Sequence, residues 1–600
     1  MNATASDYEI TLTAAKMRYY DTMREFPEGE FAPGELACVG AGIGGGFTNT
    51  EELHVMKYDE AMATPAKAEW ERAVEEEHER MVKHEVFKAV PIDEVPANAK
   101  VLTSTWAMKL KANGTKRARL NARGYEQVDG EHYDEDSKAA PVVCEATIHI
   151  VLIMMIMASW VAELLDVRGA FLYGTFEKGR QIYMKVPQGF EKYYPTNVYL
   201  LLMKTLYGTK QAARAFWMKL LEAFMRMGYH RSKADPCLYY AWTMQGLVVW
   251  MSWVDDCLVC GSPKAVEIAK RQMTQQFECD EVGELKEYIG CKIDYNKDNN
   301  FLKMTQPVLM QSFIDEFGLN DEGPCPKTPA IPGDVLTKTN DSVYVSREDQ
   351  RIYQSGVGKL LYMTKWTRPD LLNAVRELSR FMSGATKAHL AAMYRVMRYC
   401  VGTKDRGLLL KPTMRWDGDP DFEFIITGRS DSDYAKDPER RRSVSGYSTF
   451  LCGAPVTMKS RMQGCVTLSV TEAETVAATQ CAQDMLFVMR VIESMGLKVK
   501  KPMILEVDNK GAIDLSHNWS VGGRTRHDSV RQNFLRELEE EAVITLKWIP
   551  TDENSADLFT KNLAGPAFIK HVTTYCGVDE YDKDDDPRDA QREGVGGTTG

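Results

Sequence analysis

Seven acidic residues, each at the end of an apolar run or the start of a helix, are where this sequence could do chemistry. Asp255 and Asp256 stand side by side between Leu247 to Trp250 and the run that begins at Leu258. That pattern predicts two buried strands joined at a tight acidic turn. Neighbouring carboxylates repel each other unless a cation lies between them, so the pair is a divalent-metal candidate. Alone, it would read as a solvated turn. Asp166 strengthens the metal reading, because it ends a third apolar run, Trp160 to Leu165. Two strands presenting Asp166 beside Asp255 and Asp256 would hold two metal ions in the arrangement used for in-line phosphoryl transfer. A second set lies further on. Asp431 and Asp508 close apolar strands, Glu474, with Glu472 as the alternative, sits on a helix opening at Val470, and Asp557 starts another helix at Ala556. Singly these are caps or surface charges; together they can hold two metals for phosphodiester hydrolysis.

The elements that must position these acids are legible in outline. An acidic helix begins near Ala66, with Trp70, Val74, His78, Met81 and Val82 spaced for one apolar face. Trp106 to Lys111, Gly114, and Arg117 to Gly124 predict a basic β-hairpin. Its arginines suit a triphosphate or a nucleic-acid backbone, and a solvated hairpin face accounts for the spacing equally well. The run from Ile148 to Ala162 is shorter than the roughly 20 residues of a membrane span, and predicts a buried helix packed behind the catalytic sheet. Thr328 to Gly333 is a proline-bounded linker, and residues 307–320 are expected to be helical.

At 600 residues the chain is too long for one core and predicts several units. Its net charge of −11 is unevenly spread: the first hundred residues carry −10, the last 22 carry −5, and the middle is mildly basic at +4. A basic middle permits a nucleic-acid groove without demonstrating one. The 13 cysteines are scattered and Met1 to Thr4 opens no signal peptide, which predicts a reduced intracellular protein. Cys257 and Cys260 lack a second metal-like pair. Gly40 to Gly46 has no Lys-Ser/Thr after it and reads as a linker rather than a phosphate loop.

Around the acids the sequence resembles the reverse transcriptase and ribonuclease H region of copia-type LTR retrotransposon polyproteins. The resemblance is carried by Leu165 to Gly174, Trp253 to Asp256, Arg117 to Gly124, Pro141 to Val143, Ile182 to Phe190, Leu206 to Arg214 and Asp235 to Tyr239. It continues through Thr367 to Asp370, Leu378 to Met382, Arg398 to Thr403, Arg441 to Tyr447, Ala473-Glu474 and Arg524 to His527. The motifs keep family order from roughly residue 66 to 563. Signatures of capsid, protease and integrase regions are absent, so the chain reads as the terminal portion of such a polyprotein or a fragment of one.

The resemblance implies an α/β fold class: an α+β palm and fingers of a right-hand polymerase, a helical thumb and connection, then an α/β ribonuclease H-like domain. The implied boundaries are an acidic, poorly ordered extension over 1–65, fingers and palm over 66–305, thumb and connection over 306–418, the ribonuclease H-like domain over 419–576, and a disordered acidic tail over 577–600. Asp166, Asp255 and Asp256 would be the catalytic, metal-holding acids of the polymerase, and Asp431, Glu474, Asp508 and Asp557 those of the nuclease. Arg117 and Arg119 would face the nucleotide phosphates, Phe171 the sugar 2′ position, Gln211 the templating pair, and Trp253 the primer end. The thumb and connection would offer basic side chains to a duplex backbone. Two Mg²⁺ per site are implied, with Mn²⁺ as a substitute. The implied partners are an RNA template, a DNA primer, an RNA–DNA hybrid, dNTPs and other element proteins (gag-like, integrase), with no membrane. The location would be a cytoplasmic virus-like particle, with the nucleus second. Two departures, Trp253 for tyrosine and Ala212-Ala213 for Ser-Pro, keep an alternative open: a decayed or domesticated copy that binds nucleic acid without polymerising. His527 is expected to be structural.

Overall fold

The apolar runs between residues 160 and 284 become one six-stranded antiparallel sheet. Its order is Cys279–Glu284, Val161–Val167, Asp256–Gly261, Gly246–Trp253, Leu238–Thr243 and His230–Arg231. Two helices whose apolar positions recur every three or four residues, Ala212–Arg226 and Pro263–Gln276, pack against this layer. The computed structural model describes residues 55–110, 114–135, 138–319, 325–338, 343–517 and 529–578. The linker reading of Gly40 to Gly46, the Arg524 to His527 motif and the acidic tail from 579 lie outside the described residues. Two compact units make up the chain, one of residues 1–144 and 160–290, the other of 145–159 and 291–600.

In the first unit, strands Ser104–Leu110 and Lys116–Ala122 form the expected basic hairpin, with Ala107 opposite Arg119 and Lys109 opposite Arg117. Alternation along the second strand buries Ala118, Leu120 and Ala122 and leaves Arg117 and Arg119 on the other face. Helix Lys67–Lys83 covers the hairpin. Its buried stripe is Trp70, Val74, Glu77, His78 and Met81, whereas Val82, expected on that face, is exposed. Residues 55–65 belong to this core rather than to a poorly ordered extension. Met56 bridges to Met108, and Tyr58–Met62 is a helix whose Tyr58 and Met62 pack on the hairpin's core.

The second unit holds a five-stranded sheet in the order Ala454–Met462, Val444–Leu451, Ile426–Asp433, Met503–Val507, Ile544–Trp548. The first three strands are antiparallel and the last three parallel. The 25-residue helix Val470–Ser494 lies across the sheet's centre.

Three expectations change here. The boundary at 305 is absent, because Phe301–Thr305 pairs with Cys291–Asn296 on one side and Leu408–Leu410 on the other, tying residues 291–305 into the second unit. The apolar helix, Glu145–Met157, is buried over almost its whole circumference as its all-round apolar sequence demands. It belongs to the second unit, though, and packs on Ala454–Met462, with His149 Nδ1 2.7 Å from the Val456 carbonyl. No described helix is long and apolar enough to cross a membrane. Finally, Arg368 of the expected duplex-binding connection is 1% exposed. It grips Asp370 through Nε at 2.9 Å and Nη2 at 2.8 Å, and Asp370 also accepts from the Tyr399 hydroxyl at 2.7 Å. A charge so enclosed holds the helices together and is closed to a phosphate backbone.

One close approach couples the arginine hairpin to the segment before helix Ala212–Arg226. Gly208 has φ +85°, and a Cβ there would lie 2.2 Å from the Ala122 carbonyl oxygen. Both the left-handed backbone and the lack of room require glycine. Gly208→Ala is expected to destabilise the first unit by about 1–3 kcal/mol, read as a lowered denaturant midpoint without a change in slope.

Candidate active sites

The first site is built by strand pairing. Asp166 lies directly opposite Asp256 on the neighbouring strand, and Trp253 opposite Asp256 across the hairpin. The turn therefore consists of Val254 and Asp255, with Val254 at φ +56°. A β-branched residue rarely occupies that region, so the turn stores strain at the point where it projects Asp255. Asp256 is 3% exposed, and its Oδ1 has no hydrogen-bond partner among the described residues. Burial, then Asp255 and Asp166, push the Asp256 carboxyl well above the usual range. Burial and Asp255 raise Asp166 as well. Three carboxylates, two of them raised by their neighbours and one with a buried oxygen outside any described hydrogen bond, are chemically suited to hard divalent cations, which take oxygen ligands and neutralise this charge.

Cations of the protein face the same acids. The Arg119 guanidinium lies 4.0 Å from Asp255 Oδ2 and 4.8 Å from the centre of the Tyr207 ring. Burial and Arg119 pull the Arg117 guanidinium down, against the support of Tyr207, Asp166 and Asp255. Phe171, on the short 3-10 turn Ala170–Leu172, meets Tyr207 edge-on with ring centres 4.9 Å apart. Arg117, Arg119 and Trp253 thus lie around or beside the acids, and Phe171 packs on Tyr207 behind Arg119. The Gln211 amide is engaged within the protein. Its Nε2 donates to the His132 carbonyl at 3.0 Å and its Oε1 accepts from Gln127 at 3.0 Å, so it fastens one loop to another.

Two contributors escaped the sequence reading. Tyr207 is the platform shared by Arg119 and Phe171. Glu77 is 1% exposed on the helix beneath the hairpin, paired with Arg80 at 2.5 Å. Its burial raises the carboxyl, while Arg80, Arg119 and Arg117 act to keep it charged. The signal was present: Glu77 interrupts the apolar stripe between Val74 and Met81.

The second site draws on four elements of the second unit. Asp431 sits on the central strand, Glu474 in the first turns of the long helix, and Asp508 just past strand Met503–Val507. These three offer oxygens that all lie within 4.8 Å of one another. Asp557 lies on the 3-10 turn Ser555–Phe559 rather than opening an α-helix. Two features bring that turn to Asp431. Gly446, the cross-strand partner of Asp431, has no Cβ to meet the Ala556 carbonyl, which such an atom would approach to 2.9 Å. Buried Asn554 donates to the Ser430 carbonyl at 2.9 Å and caps the turn. Lys561, one turn beyond Asp557, donates to Asp557 Oδ1 at 2.7 Å and to Asp431 Oδ1 at 3.2 Å. Asn554 and Lys561 were also missed; only the four-residue spacing of Lys561 from Asp557 marks it in advance.

The electrostatics match those of the first site. Burial, then Asp431 and Asp508, push Glu474 up to about 9, and its Oε2 has no partner among the described residues. Burial and Asp431 push Asp557 up to about 7. This donor set also fits divalent cations.

Residues 85–332 match the family described as reverse transcriptase (RNA-dependent DNA polymerase). Over 513 residues the chain is 32% identical to the retrovirus-related Pol polyprotein from transposon TNT 1-94 of Nicotiana tabacum, covering 84% of this chain and 37% of that protein. It is 28% identical over 505 residues to the corresponding polyprotein from transposon RE1 of Arabidopsis thaliana, covering 83% and 33%. The chain therefore spans about a third of the length of these curated relatives. Among solved structures, a foamy viral protease-reverse transcriptase in complex with double-stranded DNA aligns over 80% of this chain and 70% of that one, at 10% identity and a TM-score of 0.43.

The raised carboxyls fix a pH dependence. Glu474 and Asp557 hold protons in the folded protein that the unfolded chain releases near 4.5 and 3.8. Folding stability is therefore lost as pH rises from those values towards about 7 for Asp557 and about 9 for Glu474. In chelator, the second unit is expected to melt at progressively lower temperature between about pH 5 and about pH 9. Added Mg²⁺ should oppose that fall, and calorimetric scans of wild type and Glu474→Gln will show whether it does.

Proposed function

The chain belongs to the copia-type retrotransposon Pol polyproteins, and from that premise we propose that it copies RNA into DNA at the first site and cleaves the RNA strand of the resulting hybrid at the second. The observation that carries the polymerase reading is the register that sets Asp166 opposite Asp256 with Asp255 in the turn beside them. Asp166, Asp255 and Asp256 would hold Mg²⁺, or Mn²⁺ in its place, and so would Asp431, Glu474, Asp508 and Asp557. Bound there, the ions supply charge neutralisation for a phosphoryl group in transfer.

The chain's own residues supply the rest. Strand pairing fixes the backbone that carries Asp166 and Asp256, and the turn carries Asp255, which would limit the reorganisation needed on binding. Arg119 and Arg117, on a rigid strand above the acids, are placed to pair with the triphosphate of a dNTP. Phe171, braced by Tyr207, would restrict the space beside the sugar and so favour deoxynucleotides. Trp253 keeps its strand register opposite Asp256, which supports the reading that the turn tolerates tryptophan at this position. The implied partners are an RNA template, a DNA primer, their hybrid, and gag-like and integrase proteins of the same element. The implied location is a cytoplasmic particle, with the nucleus second.

Primer extension on poly-rA with Mg²⁺ tests the polymerase: wild type should extend and Asp255→Asn should not. Cleavage of a labelled hybrid should be lost in Asp508→Asn while extension persists. Hybrid cleavage by a wild type that cannot extend would mean that the first site binds without polymerising. Arg119→Ala is expected to raise the KM for dNTP by about tenfold or more, the worth of a charge-assisted hydrogen bond, with a smaller effect on primer binding.

A further inference from the structure

Lys561 stands closer to the nuclease acids than their proposed role requires. Its ammonium bonds Asp557 and Asp431 at once, and both of these are expected metal ligands. The Thr560 hydroxyl donates to the other oxygen of Asp431, so both oxygens of that carboxylate are already engaged by the protein. Glu474 differs, with one oxygen that has no partner among the described residues. Arg429, two residues before Asp431, is drawn to Glu506 at 2.7 Å and to the Ser555 hydroxyl at 3.2 Å. Lys561 is thus the cation engaged with two of the four carboxylates.

An ammonium and a divalent ion cannot share the same face of one carboxylate oxygen. The metal would take Asp431 at about 2.0–2.1 Å, inside the space that the Nζ hydrogen bond occupies, and the two positive charges repel. Lys561 can yield, because its side chain is one-third exposed on a four-carbon stem. It cannot diffuse away, because its backbone follows Asp557 by one turn. Resting on the reading of this site as a two-metal nuclease, we propose that Lys561 is a tethered competitor for the metals: it neutralises Asp431 and Asp557 until divalent ions displace it. Its presence sets the ion concentration at which the site fills. Displaced, the ammonium stays within a side chain's length of the acids, where a substrate phosphate would lie.

The test follows metal uptake locally, since the first site also binds ions. Hydrogen exchange of the full-length protein is measured over residues 428–434 and 555–562 as Mg²⁺ is titrated. In wild type, protection should rise with Mg²⁺, and Asp431→Asn should abolish the rise. Lys561→Met should shift the midpoint to lower Mg²⁺ by about fivefold or more, the scale of an ordinary coupling between two binding events. Lys561→Arg, which keeps the charge, should stay near wild type. Should Lys561→Met fail to fold, Lys561→Gln retains a donor to Asp557 without the charge and should show the same shift. A midpoint that is unchanged or higher in the uncharged variants, or that moves equally in Lys561→Arg, overturns the proposal. Absence of any Mg²⁺-dependent protection in wild type would instead remove the two-metal reading of this site, and the competitor with it.

Discussion

Repulsion between enclosed carboxylates is the constraint on which both sites depend. At the separation of Asp431, Glu474 and Asp508, within 4.8 Å, each charged pair costs on the order of 3–4 kcal/mol at the effective dielectric of a protein site. That is a sizeable part of the stability of a typical domain. Such groups stay together only if rigid elements force them to, and if protons, protein cations or metals offset the charge. Strand register supplies the force in the first unit. In the second, a strand, the long helix and a capped 3-10 turn converge on the same point.

The two sites answer the constraint with the same device: cations set on elements that are themselves braced. Arg119 reaches Asp255 from a hairpin held down by helix Lys67–Lys83, and Glu77 in that helix supports the arginines from behind. Lys561 reaches Asp431 and Asp557 from a segment held by Asn554 and by the missing side chain at Gly446. In each case a residue far from obvious chemistry fixes where the charge stands.

Asp166, the Asp255-Asp256 pair, Asp431 and Asp508 were legible in the sequence because each stands at the end of an apolar run, which has few readings other than a buried strand, whereas Glu474 and Asp557 stood out only within the ordered set that resembles the family. The hairpin around Asp255 and the arginine hairpin were legible for the same reason. Partnership was harder to see. Gln211 sits in a recognisable segment, yet only the fold shows its amide satisfied by His132 and Gln127. Arg368 reads as a basic residue for a duplex until Asp370 and Tyr399 are found around it. The apolar helix Glu145–Met157 declares its burial, since it has no polar face, but nothing in its own composition says which surface it will cover. Long-range pairing decides such matters, and local pattern carries little information about it.

That helix has a consequence for how the chain comes into being. It leaves the ribosome between two stretches of the first unit, yet the strand it covers, Ala454–Met462, is made almost 300 residues later. At about 5–20 residues per second, an almost wholly apolar helix must wait some tens of seconds for its cover during synthesis. A nascent chain in that condition invites chaperone capture or aggregation. By the same logic, a fragment started at residue 291 would be born without a piece of its own interior.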